Sequence, residues 1–188
     1  YITFRTIFAI LTALMVSLVV GPWFIRKLKE LQIGQYIRED GPQSHFSKTG
    51  TPTMGGLMII VALLFSTLLW TDLYNPYIWL LGLVTLGFGL IGFYDDYLKV
   101  IKKQNRGLTG NQKFLAQIVV AGVVAVWLYI YPAFSTTVTV PFVKQWQPDL
   151  GWLFIPFAVF VIVGAANAVN LTDGLDGLAI GPVTIAAA

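Results

Sequence analysis

The sequence predicts an all-α, polytopic membrane protein. Three observations carry that expectation: a charge content too low for a water-facing globule, apolar runs of membrane-spanning length, and basic residues gathered in alternate connections. Of 188 residues, 56% are hydrophobic and 11% charged, against about 25% charged in an ordinary soluble domain. So few charges cannot cover a globule of this size, and most of the surface must face lipid.

Five runs approach the roughly 20 apolar residues that a spanning helix needs. They cover residues 3–25, 53–73, 77–94, 114–131 and 152–169, and a sixth begins near Leu178. Arg5 ahead of an apolar stretch also suits a signal peptide, but the stretch is too long for an h-region and no small-residue cleavage site follows it. Residues 26–52 carry five Lys or Arg, and residues 95–113 carry five more. The other two links share only Lys144. Loops rich in Lys and Arg stay in the cytoplasm. The N-terminus is therefore expected outside, with the loops after spans one, three and five inside.

Residues 1–188 read as one membrane domain without an evident repeat. The chain begins at Tyr1 and stops at Ala188 within an apolar run, so both ends are expected to be cut. The outer link at residues 132–151 contains Thr136, Thr137, Val138, Thr139 and Val140 before Pro141. That pattern suits a short periplasmic β-hairpin or a plain loop. Gly82, Gly87, Gly89 and Gly92 in span three, with Gly55 and Gly56 before span two, would let helices approach closely.

Several signals carry no function. The net charge of +3 comes from basic residues dispersed between apolar runs, so no nucleic-acid stripe exists. Without cysteine there is no disulfide, thiolate metal site or cysteine nucleophile. Residues 87–92 match G-x-G-x-x-G, but inside an apolar span and with Gln112 where an acidic residue would be needed. Asn170-Leu171-Thr172 matches a glycosylation acceptor on the side expected to be cytoplasmic. Asp173-Gly174-Leu175-Asp176 lacks the alternating ligands of a calcium loop. His45 is the single histidine and has no second histidine to complete a metal site.

Three polar clusters remain, all on the expected cytoplasmic side. Asp95 and Asp96 close span three, where two adjacent carboxylates are costly unless a cation or metal sits between them. A solvated helix end is the plainer reading, yet acids are disfavoured at a helix C-terminus. Asn167, Asn170, Asp173 and Asp176 recur every three residues, which makes a polar stripe on span five or a fraying helix end. Residues 40–56 hold Ser44, Ser47, Lys48, Thr49, Thr51, Thr53, Gly55 and Gly56, suited to an anion at a helix N-terminus or to an ordinary cap. Together the clusters suit metal-assisted chemistry on a phosphate-bearing substrate whose partner is a lipid.

Residues 44–56 (SHFSKTGTPTMGG), 92–97 (GFYDDY) with Lys99, and 167–179 (NAVNLTDGLDGLA) resemble the phospho-N-acetylmuramoyl-pentapeptide transferases, or translocase I, within the polyprenyl-phosphate N-acetylhexosamine-1-phosphate transferases. The resemblance runs over the whole chain and corresponds to about the first half of a ten-span fold. It implies transfer of phospho-N-acetylmuramoyl-pentapeptide from its UDP carrier to undecaprenyl phosphate, giving lipid I and UMP, with Mg2+ required. It also implies a bacterial inner-membrane location with a cytoplasmic active site, and it leaves room for a homodimer. The family's aspartate pair matches Asp95 and Asp96 as catalytic residues, with Asp95 expected to orient or deprotonate the lipid phosphate and Asp96 to be a metal contact whose main partner ligand lies beyond residue 188. Its substrate contacts match Lys48, Thr53, Lys113, Asn170, Asp173, Gly174, Leu175 and Asp176. A sister transferase carrying N-acetylglucosamine-1-phosphate is the nearest alternative, and residues 44–56 favour translocase I. A transporter is the alternative of another class. Against it, the polar residues gather at one face instead of lining a path.

Overall fold

The computed structural model describes residues 1–30, 54–102, 107–140, 142–143, 145–172 and 178–187. The chain is all-α: α1 (Ile2–Glu30), α2 (Gly56–Trp70), α3 (Pro76–Lys102), α4 (Gly110–Ile130), α5 (Phe154–Thr172) and α6 (Ile180–Ala187). A 3₁₀ turn at Gly151–Leu153 leads into α5. Among the described residues, four stretches are long and apolar enough to cross a membrane: Ile2–Glu30, Pro76–Val100, Gly110–Ile130 and Gly151–Thr172.

The expected second span is shorter than its apolar run. α2 has 15 residues, or about 22 Å at 1.5 Å per residue, against a hydrocarbon core of about 30 Å. Local chemistry sets its ends. Met54 takes φ 69° just before it, a left-handed conformation that no helix continues through. At the other end Thr71 is extended, and its hydroxyl and N–H both donate to the Thr67 carbonyl. Asp72 then accepts from the Tyr74 N–H at 3.1 Å. Asn75 caps α3 by accepting from the Tyr77 N–H at 3.0 Å. Pro76 follows at the first helical position, where its missing N–H costs nothing.

The chain divides into two units, Tyr1–Lys113 and Phe114–Ala188. In the first, α1 packs along α2. Trp70 Nε1 donates to Thr12 Oγ1 at 2.9 Å, and its ring stacks on Phe8 at 5.0 Å. α2 in turn packs on α3, where Gly89 leaves room for the tip of Ile60. Of the glycines expected to allow close approach, Gly55, Gly56, Gly82 and Gly92 have no neighbour within 4 Å where a Cβ would stand.

In the second unit, Ala125 of α4 meets Phe154 and Ala158 of α5, with Leu128, Phe134 and Leu150 packed against them. A polar bond also joins the two helices. Asn167 Nδ2 donates to Gln117 Oε1 at 2.7 Å and to the Val163 carbonyl at 2.8 Å. Asn167, read in sequence as part of a functional stripe, therefore ties α5 to α4. Interhelical bonds of this kind contribute about 0.6 kcal/mol on average in membrane bundles, with a maximum near 1.7. Asn167→Leu should lower unfolding stability in detergent by about that amount. A loss several times larger would show that the bond does more than join two helices.

The link between α4 and α5 is hairpin-like without forming strands among the described residues. It holds one antiparallel bridge, Thr137 to Asp149. The Val138 N–H donates to the Pro148 carbonyl at 3.0 Å, and the Leu150 N–H to the Thr136 carbonyl at 3.2 Å. Pro148 has no N–H to return, and the next bond across the link, from the Val140 N–H to the Trp146 carbonyl, is long at 3.5 Å. The Thr136 hydroxyl and the Gly151 N–H both donate to Asp149 and hold its carboxyl below the usual carboxylate range.

Candidate functional site

α3 continues to Lys102, so Asp95 and Asp96 lie about two turns inside it. The expected helix end is corrected on this point, and with it the objection from the helix dipole. The helix continues because Lys99 stands four residues after Asp95 and three after Asp96, the spacings at which opposite charges support a helix. Asp95 lies about 29 Å along α3 from Pro76 at 1.5 Å per residue, close to the thickness of the hydrocarbon core. The pair thus lies about one core thickness from the start of α3, within the last turns of the stretch long and apolar enough to cross a membrane.

Two cations and a backbone amide grip Asp95. Lys99 Nζ and Lys113 Nζ reach its Oδ2 at 2.8 and 2.9 Å. The Leu108 N–H donates to its Oδ1 at 2.8 Å. Lys99 also stands 3.5 Å from Asp96 Oδ1, and so is the cation that lets two adjacent carboxylates coexist. The side chain of Asp95 is 5% exposed, against 30% for Asp96, 43% for Lys99 and 33% for Lys113. Charge buried to that degree persists only when paired and hydrogen-bonded. The outward surface of the cluster is thus two ammonium groups and the Asp96 carboxylate, with Asp95 beneath as their anchor.

The segment that completes the grip is placed by its own sequence. The Thr109 hydroxyl accepts from the Gln112 N–H at 3.3 Å, and the Gln112 side-chain oxygen accepts from the Thr109 N–H at 3.1 Å. This reciprocal capping box starts α4 and puts Lys113 in its first turn. Gly107 passes directly against Asp95: a Cβ there would collide with Oδ1 and lie 2.7 Å from the Asp95 carbonyl oxygen. Only glycine lets the Leu108 amide reach the carboxylate.

Of the residues expected from sequence, the structure brings together Asp95, Asp96 and Lys113. Asn170 is exposed on α5 in the second unit. Lys48, Thr53, Asp173, Gly174, Leu175 and Asp176 lie outside the described residues. Among the described residues no group of three or more acidic or histidine side chains could hold a metal. Mg2+ keeps several waters and binds through one or two carboxylates plus substrate phosphates. Asp96, half-buried with its side chain 30% exposed beside Lys99, is one carboxylate of the kind such an ion uses. The roles of Lys99, Gly107 and the Thr109–Gln112 box were not read from sequence, although the T-x-x-Q spacing before an apolar run announces a helix start.

Residues 77–188 match the family model described as glycosyl transferase family 4. The phospho-N-acetylmuramoyl-pentapeptide-transferase of Pelobacter propionicus is 57% identical over 188 residues, covering 100% of this chain and 52% of the relative. The protein of the same name from Desulfatibacillum aliphaticivorans is 60% identical, with the same coverage of both chains. That of Syntrophus aciditrophicus is 57% identical over 182 residues, covering 97% of this chain and 51% of the relative. The chain spans about half the length of the curated relatives it matches. With more than half of its length inside the family match, this chain belongs to glycosyl transferase family 4.

Proposed function

We propose that the full-length protein transfers phospho-N-acetylmuramoyl-pentapeptide from UDP to undecaprenyl phosphate, releasing UMP and leaving lipid I, with Mg2+, on the cytoplasmic face of a bacterial inner membrane. The names of its relatives support the transferred group, phospho-N-acetylmuramoyl-pentapeptide. The structural observation that carries the reading is the Asp95–Lys99–Lys113 cluster beside Asp96, about one bilayer core along α3. In the reaction an oxygen of the lipid phosphate attacks the β-phosphorus of the UDP-sugar. The bond from that phosphorus to the oxygen bridging the two phosphates breaks, and UMP carries the electron pair away.

The second pKa of a phosphate monoester is about 6, so the attacking oxygen is already mostly anionic at neutral pH. The harder task is bringing two anions together. Lys99 and Lys113 perform it by presenting two ammonium groups, held in place through Asp95. Bound Mg2+ would add neutralisation of the diphosphate and of the departing phosphate, and Asp96 is the residue in the cluster that would hold it. Asp95, with N–H donors on both oxygens, acts here as a positioning residue through the two lysines.

The test is UMP release by the full-length protein in detergent. UDP-MurNAc-pentapeptide with undecaprenyl phosphate should yield UMP, and UDP-N-acetylglucosamine should not. The reverse preference would select the sister transferase, and no UMP from either would end the proposal. Within the same assay, Gly107→Ala should push the Leu108 amide off Asp95. One charged hydrogen bond is worth about 1.5–3 kcal/mol, so turnover should fall about 10- to 100-fold. Unchanged turnover would mean that the 107–109 segment does not position the cluster.

A further inference from the structure

The link between α4 and α5 has two differently covered ends. At its base, Phe134 and Leu150 pack into the cluster formed by Ala125, Phe154 and Ala158, and the Phe134 ring lies 5.1 Å from that of Phe154. At its tip, Phe142 is fully exposed at 102%, and Val143 and Trp146 are also exposed. Hydrogen bonds from the Val143 N–H to the Val140 carbonyl and from the Trp146 N–H to the Val143 carbonyl close the turn. Phe142 has φ 69°, in the left-handed region where glycine or asparagine is the ordinary choice. An aromatic side chain there is unfavourable twice in water, once for its backbone and once for its apolar surface. Something outside the chain must cover it.

We propose that the tip lies down on the bilayer, with Phe142, Val143 and Trp146 seated among the lipid headgroups and upper acyl chains. Continuity with the spanning helices argues for lipid as the occupant. The link leaves α4 at Ile130 and re-enters at Gly151, the ends of two stretches long enough to cross the membrane. Those ends carry the aromatic belt of a membrane interface: Trp127 and Tyr131 stack at 4.6 Å on one side, and exposed Trp152 stands on the other. The arms extend about five residues, or about 17 Å, so a leaning tip stays at headgroup depth. Charge agrees. The carboxylate in the link, Asp149, is fastened at the base by Thr136 and Gly151, away from the tip. The basic residue of the link, Lys144, falls in sequence between the apolar tip residues, a sign that suits anionic phospholipid.

The chain has no cysteine, which makes single-site labelling direct. Phe142→Cys, and separately Trp146→Cys, would be introduced into the full-length protein free of other cysteines and labelled with an environment-sensitive fluorophore. The protein would be reconstituted in phosphatidylglycerol–phosphatidylethanolamine vesicles. A label at Tyr74→Cys, 98% exposed in the α2–α3 link on the same expected face as the tip, gives the aqueous reference. The expected result is strong quenching of both tip labels by lipids spin-labelled high on the acyl chain. Aqueous iodide should quench them several-fold less than the reference. Iodide quenching equal to the reference, without lipid quenching, would show the tip standing in water. Protection from both quenchers would show a protein occupant, such as a second copy. Either outcome overturns the proposal.

Discussion

Asp95→Asn in the full-length protein should lower kcat by about 10²–10³-fold, the scale of losing a preorganised electrostatic contact at a reacting centre. Asparagine keeps the shape and can still accept the Leu108 N–H, but it no longer fixes two ammonium groups. Removing one partner of a fully buried ion pair costs about 3–5 kcal/mol. The cost here should be smaller, roughly 1–3 kcal/mol, because Lys99 and Lys113 are partly exposed and can turn to water. The variant should therefore fold, melt somewhat lower and turn over slowly, with nucleotide affinity less affected than kcat. Near-normal UMP release by the folded variant would remove Asp95 from the mechanism. A normal melting temperature with lost activity would instead show that the ion pairs add little to stability.

Asp96→Asn should separate the two carboxylates. Asp96 is more exposed than Asp95 and stands at a longer 3.5 Å from Lys99. Solvent-screened pairs of that kind contribute about 0–1 kcal/mol, so the melting temperature should barely move. Turnover should still fall about 10²–10⁴-fold if this carboxylate meets the metal or the reacting phosphates. The magnesium concentration for half-maximal rate should also rise. A titration with the wild-type midpoint and near-normal turnover would show that Asp96 is only a solvated neighbour of Lys99.

Helix identity was legible because lipid demands it: an apolar run of 20 residues has one way to satisfy its backbone. Helix ends were less legible, since hydropathy counts side chains and not capping. The second run was read through Thr71, Asp72 and Leu73, where hydroxyl and carboxylate bonds to the backbone stop α2. The third was stopped at Asp95 and Asp96, which a lysine one turn later carries onward inside the helix. The aspartate pair and Lys113 were recognised as functional types, but their contact is long-range: 18 residues separate Asp95 from Lys113. No helical spacing links them. It follows from Gly107 lying against Asp95 and from the Thr109 cap that starts α4. The bond of Asn167 to Gln117 was not legible because that partner lies 50 residues away on another helix.

The length of α2 bears on the lipid as much as on the protein. A helix about 22 Å long beside neighbours that match the full hydrocarbon thickness creates a local hydrophobic mismatch of about 8 Å. Bilayers meet such a deficit by thinning around the short segment. The contact of Ile60 with Gly89 puts the start of α2 about one turn further along α3, near the level of Phe93, two residues before Asp95. A bilayer thinned at that end of α2 would bring its headgroups closer to the level of Asp95, and under the proposed function that is the side from which a lipid phosphate would approach Lys99 and Lys113.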